Sequence, residues 1–235
     1  MSEFLSDKEQ EERLKKAIKT NGSWIIGAIA LALFIFSGYQ YYQRNQLQNQ
    51  INAATQLEQV MIAGEDASAA LNSETPETAK NTVFLASVDQ LVEAYPKTTQ
   101  AFEALLMKAK YLVDSGDLAK ASTALQQAAD IETDEGLRSI ALIRLAGLQL
   151  ELKEFAAAQK TIDGIGATGF EVAREELLGD LAVAQNQPEQ AAKAYQRAWD
   201  ASLAREEDRP ELRYKMESVG LSPEPIEQPE LILNQ

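Results

Sequence analysis

Residues 179–198 read GDLAVAQNQPEQAAKAYQRA, and this stretch decides the fold. Leu178, Gly179 and Ala182 fall on one helical face before the turn residues Asn186-Gln187-Pro188, and Ala191, Tyr195 and Ala198 fall on one face after them. Two antiparallel helices can cross closely only where the facing side chains are small, which suits Gly179 against Ala191. A larger residue such as Tyr195 then fills the gap to the next pair.

The same frame occurs twice upstream. Ala109 and Leu112 precede a corner at Gly116-Asp117 that is followed by Ala121, Leu125 and Ala128. Leu142, Leu145 and Ala146 precede a corner at Lys153 that is followed by Ala158 and Ile162. The matching small residues Ala109, Ala146 and Gly179 are 37 and 33 residues apart, bracketing the ~34 of the tetratricopeptide helical hairpin. A plain four-helix bundle also produces alanine-rich stripes, but it does not require turn residues at one shared position. Since about three repeats are needed for a stable stack, degenerate units over 46–95 are expected to complete the core. Arg209-Pro210 opens a short helix through Val219, with Leu212, Met216 and Val219 on one face as a cap over the last hairpin. The acidic tail from Gly220, with Pro223, Pro225 and Pro229, is expected to be unstructured.

Nearer the start, Leu47, Ile51, Ala54, Leu57, Met61 and Ile62 form a helical stripe that Gly64-Glu65-Asp66 is expected to end. A polar loop over 67–78 follows, then a helix over 82–94 stopped by Tyr95-Pro96. Before all of this lies WIIGAIALALFIFSGYQYY, residues 24–42, without a charged residue. At ~1.5 Å per residue such a run approaches the roughly 30 Å of a hydrocarbon core. Trp24 at one end and Tyr39, Tyr41 and Tyr42 at the other are rings suited to the headgroup zone. The rivals are a buried helix of a soluble protein and a cleaved signal peptide. The latter has a shorter apolar core and a small-x-small cleavage site, where this chain has Ser-Gly-Tyr-Gln-Tyr-Tyr, so a retained anchor is expected. Asn21-Gly22 is read as a break just before it. Lys8, Arg13, Lys15, Lys16 and Lys19 precede the run, and Arg44 is the only basic residue after it until Lys80. That bias predicts a cytoplasmic amino terminus and an exported remainder, for which a bacterial inner membrane and periplasm are the plausible setting.

The first 22 residues carry five basic and five acidic groups, so the whole net charge of −14 falls on the rest. Such a surface repels nucleic acid and anionic lipid, and its plainest role is solubility. The chain has no histidine and no cysteine, which removes the commonest general base, the thiolate nucleophile and most zinc geometry. No cofactor, metal or small-molecule substrate is expected. The acid pairs Asp134-Glu135 and Glu175-Glu176 diverge by about 100° on a helix and read as solvated faces rather than a catalytic site. Gly164, Gly166 and Gly169 match the dinucleotide-binding spacing, but an alanine-rich helix precedes them where that motif needs a strand. They are expected to cap the helix and turn the chain. Gly27, Ala28 and Ala32 offer a small-residue face for another membrane helix.

The order of charged tail, Asn21-Gly22, glycine-containing span and the exit Gly38-Tyr39-Gln40-Tyr41-Tyr42 resembles the YfgM family, ancillary subunits of the SecYEG translocon. LIRLAGLQLELKEFAAAQKTI at 142–162 and the stretch at 179–198 continue the resemblance, which fails at the proline-rich tail. It implies a non-enzymatic partner of the translocon working with periplasmic chaperones of the membrane-anchored PpiD type. The expected plan is all-α: a tail over 1–22, a transmembrane helix over 23–43, a tetratricopeptide-like hairpin solenoid over 44–219 and a disordered end over 220–235. Stacked hairpins present a concave face from their first helices. In the repeat frame that face comprises Glu103, Leu106, Lys110 and Val113, then Ile140, Ile143 and Leu150, then Ala173, Glu176, Asp180 and Val183, a mixture suited to a peptide segment. The rival functions are a scaffold for another envelope assembly and, more remotely, a carboxylate-dependent hydrolase.

Overall fold

The computed structural model describes residues 7–71, 78–131, 134–166 and 168–223. Among them the chain forms nine α-helices and no strand: α1 (Asp7–Leu71), α2 (Thr78–Ala94), α3 (Thr99–Asp114), α4 (Leu118–Ile131), α5 (Glu135–Glu151), α6 (Phe155–Asp163), α7 (Glu171–Ala184), α8 (Pro188–Leu203) and α9 (Pro210–Ser218). The chain divides into two units, Met1–Asn52 and Ala53–Gln235.

In the first unit the helix runs straight through Asn21-Gly22, so the expected break is absent. A glycine inside a helix costs only about 1 kcal/mol relative to alanine, which flanking turns readily offset. The side chains over 27–42 are exposed, Phe34 and Trp24 most fully at 79% and 83%. The expectation of a membrane span over 24–42 is met only as helix: among the described residues, no helix is long and apolar enough to cross a membrane. Ile25 and Ile26, which open the apolar run, have side chains outside the described set. At its far end Gln40 and the three tyrosines dilute it; Tyr39 and Tyr42 accept hydrogen bonds from Gln43 and Gln46 at 2.7 and 2.6 Å.

In the second unit α1 passes the expected stop at Gly64 and ends at Leu71. Gly64 serves contact rather than termination: a Cβ there would lie 3.0 Å from the Phe84 ring of α2. Phe84 in turn meets Tyr111 of α3 edge to face at 5.3 Å between ring centres. Phe84, Val88 and Leu91 of α2 and Val60 and Ala67 of α1 are all buried in the same core as α3, α4 and α5. They supply the upstream layer that the degenerate sequence left undefined.

Three hairpins follow, α3 with α4, α5 with α6 and α7 with α8. Thr98 starts the first by accepting a hydrogen bond from the Ala101 N–H at 3.2 Å, and Asp134 starts the second by accepting from Leu137 at 2.9 Å. Each hairpin turns at a residue in the left-handed region: Gly116 (φ 83°), Lys153 (φ 60°) and Asn186 (φ 57°). At each corner the next N–H reaches back five residues at 2.8 Å, Asp117 to Leu112, Glu154 to Gln149 and Gln187 to Ala182. This closure satisfies the terminal carbonyls of the first helix and aims the chain back along it. A further corner of this kind stands at Gly220 (φ 84°), where Leu221 bonds back to Met216. It lies 34 residues after Asn186, and the same closure recurs before α9 at Glu206 (φ 55°), where Glu207 bonds back to Ser202 at 3.0 Å. Gly164 and Gly169 do cap and turn: the Gly164 N–H bonds to Thr161, and Gly169 has φ 103°.

The tightest crossing is the one marked by Gly179. A Cβ at that position would stand 2.2 Å from the Tyr195 ring, which is itself buried. Gly147, one repeat earlier on α5, has nothing within 4 Å of such a Cβ. The two glycines should therefore respond oppositely to the same change. Gly179→Ala is expected to cost about 1–3 kcal/mol through overpacking, while Gly147→Ala gains up to about 1 kcal/mol of helix propensity. Chemical denaturation of the two variants followed by circular dichroism checks both signs.

Candidate functional site

The first helices of the three hairpins, α3, α5 and α7, carry all eleven residues expected on the concave face, and the structure divides them into three groups. Leu106, Lys110 and Val113 of α3 line an open groove of about 410 Å³ between α3 and α5. Ala109 and, from α5, Arg144, Gly147, Leu148 and Glu151 complete its walls, with Leu125 of α4 behind. Glu103 is exposed but stands outside this lining. The groove exists because α5 packs directly on α7, whereas α3 reaches α5 mainly through α4.

The second group, Ile140, Ile143 and Leu150, is half-buried, and Ile143 and Leu150 pack on the core. These side chains hold α5 in place rather than presenting an open surface.

In the third group Ala173 is half-buried and Val183 is 45% exposed, but Glu176 and Asp180 are taken by α9. Lys215 donates to both carboxylates at 2.7 Å, and Arg209 donates to the second oxygen of Glu176 at 2.8 Å. Tyr195 donates to the other oxygen of Asp180 at 2.8 Å. The reading of Glu175-Glu176 as a solvated face is corrected by this arrangement. Both side chains are only 12–13% exposed, and Glu175 is bound by Arg174 and Arg197. Apart from the adjacent Arg174, the partners sit 22 to 39 residues away in sequence, out of reach of any local pattern. Asp134, by contrast, is exposed and caps α5.

Arg144, Gly147, Leu148 and Glu151 were missed by the sequence frame. Gly147 occupies the same repeat position as Lys110 and Asp180, 37 and 33 residues removed, and the frame could have found it had small residues been counted as lining. Among the described residues no group of three or more histidine, cysteine or acidic side chains is placed to hold a metal ion.

A family model described as tetratricopeptide repeat-like domain matches residues 15–221. The chain belongs to that family. Among curated relatives, the ancillary SecYEG translocon subunit of Aggregatibacter actinomycetemcomitans is 29% identical, over 84% of this chain and 93% of the relative. The proteins of the same description from Escherichia coli K12 and Neisseria gonorrhoeae are 25% and 24% identical, covering 86% and 93% of this chain and 90% and 100% of their own lengths. The resemblance to the YfgM family read from the sequence is met in these relatives. No solved structure matches the chain.

The α7–α9 ion network sets a pH limit. Burial alone would lower the Lys215 pKa, but the hydrogen bonds to Asp180 and Glu176 and their charges outweigh it and raise it above the ordinary 10.5. Burial raises the Tyr195 phenol above its ordinary 10.0, and the Asp180 hydrogen bond adds to this. For both groups the folded value exceeds the unfolded one. The stability they contribute is therefore complete below about pH 10 and fades as pH rises toward the folded values. Denaturation midpoints between about pH 9 and about pH 11 should fall for the native chain and fall less steeply for Tyr195→Phe, which has no phenol to ionise.

Proposed function

We propose that this protein is a membrane-anchored, non-enzymatic adaptor beside the Sec translocon. Its hairpin stack lies on the periplasmic side of a bacterial inner membrane and holds protein partners that handle emerging polypeptides, a PpiD-type chaperone among them. The observation that carries this reading is coverage: relatives described as ancillary SecYEG translocon subunits align over 90–100% of their own lengths, anchor region and hairpins together. The anchor itself rests on the uncharged run over 24–42, on its exposed apolar side chains and on the basic residues that precede it. The adaptor role is supported by the family's repeat fold, whose open first-helix face suits protein partners. A chain without histidine or cysteine has little else with which to act.

Two measurements test this. Purification of the full chain from native membranes in mild detergent is expected to bring translocon subunits with it. Their absence, with a different partner at equal stoichiometry, would move the protein to another envelope assembly. Protease added to spheroplasts should cleave the hairpin region and leave the first 22 residues intact. Protection of the hairpins there would reverse the orientation and end the periplasmic reading.

A further inference from the structure

The groove between α3 and α5 has a chemical asymmetry that the adaptor reading does not use. Its floor and sides are apolar where Leu106, Ala109, Val113 and Leu148 meet, and nothing stands within 4 Å of where a Gly147 Cβ would be. Lys110 is neutralised at the rim by Asp114 at 2.5 Å. Arg144 and Glu151 line the same groove and are exposed, and neither side chain forms an ion pair or hydrogen bond with any described residue. They are seven residues apart on α5, two turns or about 10.5 Å along one face. Among the described residues the groove thus offers one free cation and one free anion along α5, with an uncharged apolar floor between them.

A second helix laid along α5 has the same spacing. Residues seven apart on it can face Arg144 and Glu151 together, while those three and four along turn toward the floor. An extended strand cannot match this as well. Its same-face residues recur every ~6.7 Å, so a pair about 10.5 Å apart falls on opposite faces.

Resting on the adaptor reading for its setting, we propose that this groove docks an amphipathic helix of a protein partner. That helix carries an acidic residue facing Arg144, a basic residue seven positions away facing Glu151, and large apolar residues between. The two charges fix the helix's direction and register, and the apolar residues supply the contact area. A single helix turn pair of this kind also explains why the floor is kept free of charge: a charged group there would be desolvated without a partner.

The test uses the full chain in mild detergent and fluorescently labelled, end-blocked helical peptides, read by anisotropy. The probe is the sequence AAEAALLAAKAA, with glutamate and lysine seven apart and two leucines between, alongside versions with two lysines or two glutamines. The native chain should prefer the glutamate–lysine peptide to the other two by about five-fold, the upper range for a pair of this exposure. Arg144→Glu should invert that order in favour of the two-lysine peptide, a change that loss of folding cannot produce. Gly147→Leu, whose Cβ has no atom within 4 Å and whose side chain projects into the floor, should weaken every peptide by about ten-fold while the melting temperature holds. Equal affinity for all peptides, or an order that Arg144→Glu leaves unchanged, overturns the proposal. So does binding that appears only after residues 224–235 are removed, which would give the groove to the chain's own end. Translocon co-isolation is scored on the same variants. Association without peptide binding would sink this inference alone, and peptide binding without association would sink only the adaptor reading.

Discussion

The left-handed residue at each hairpin corner is the constraint on which the architecture rests. A helix leaves its last carbonyls without partners, and the corner supplies them by bending one residue into a region most side chains avoid. Gly116 adopts it freely and asparagine tolerates it, but Lys153 at φ 60° accepts roughly 1–2 kcal/mol of steric cost. That such a residue persists at the middle corner shows the geometry is fixed from outside, by the packing of α5 and α6 over Ala146, Ala158 and Ile162. With the corner fixed, the second helix must return along the first, and the stack follows from burying the apolar faces so created.

The same constraint determines where the stack stops and where it stays open. After a further left-handed corner at Glu206 (φ 55°), the chain brings Arg209 and, from α9, Lys215 against Glu176 and Asp180 of α7. Enclosing four charges and the Tyr195 hydroxyl gains little net stability, since desolvation offsets most of the attraction. What the network does is select a single seating for α9, because removing any partner would strand a charge that water reaches poorly. One end of the first-helix surface is thereby closed by the chain itself. Over the opposite end, between α3 and α5, no described helix is seated in this way, and the Arg144 and Glu151 side chains there have no partner among the described residues.

Most of the hairpin architecture could be read directly. The small-residue positions Ala109, Ala146 and Gly179 and the corners at Gly116, Lys153 and Asn186 are local signals, each expressed within one turn of helix. The errors arose where a local signal served a distant partner. Gly64 looks like a helix stop and is in fact a slot for the Phe84 ring; Asn21-Gly22 looks like a break and is absorbed by a long helix. Glu175 and Glu176 look like surface acids because three of the four cations that cover them, Arg197, Arg209 and Lys215, lie outside α7. The frame picked positions that do lie on the first helices α3, α5 and α7. It could not tell which would be covered, since that depends on α9 seating and on α3 standing off from α5.

Net charge and local charge act on different scales here, and together they narrow what the open groove can hold. A chain with formal charge −14 repels polyanions before contact, over a range set by a screening length of about 8 Å at physiological salt. Within contact distance, however, a lone guanidinium beside an apolar floor attracts a single carboxylate more strongly than the diluted surface field repels it, because little water remains between them. The neighbouring Glu151 then disfavours a second acid at the far end of the groove. A highly acidic segment is turned away at range, a uniformly apolar one leaves both charges partly desolvated without partners, and a segment carrying one charge of each sign meets neither obstacle.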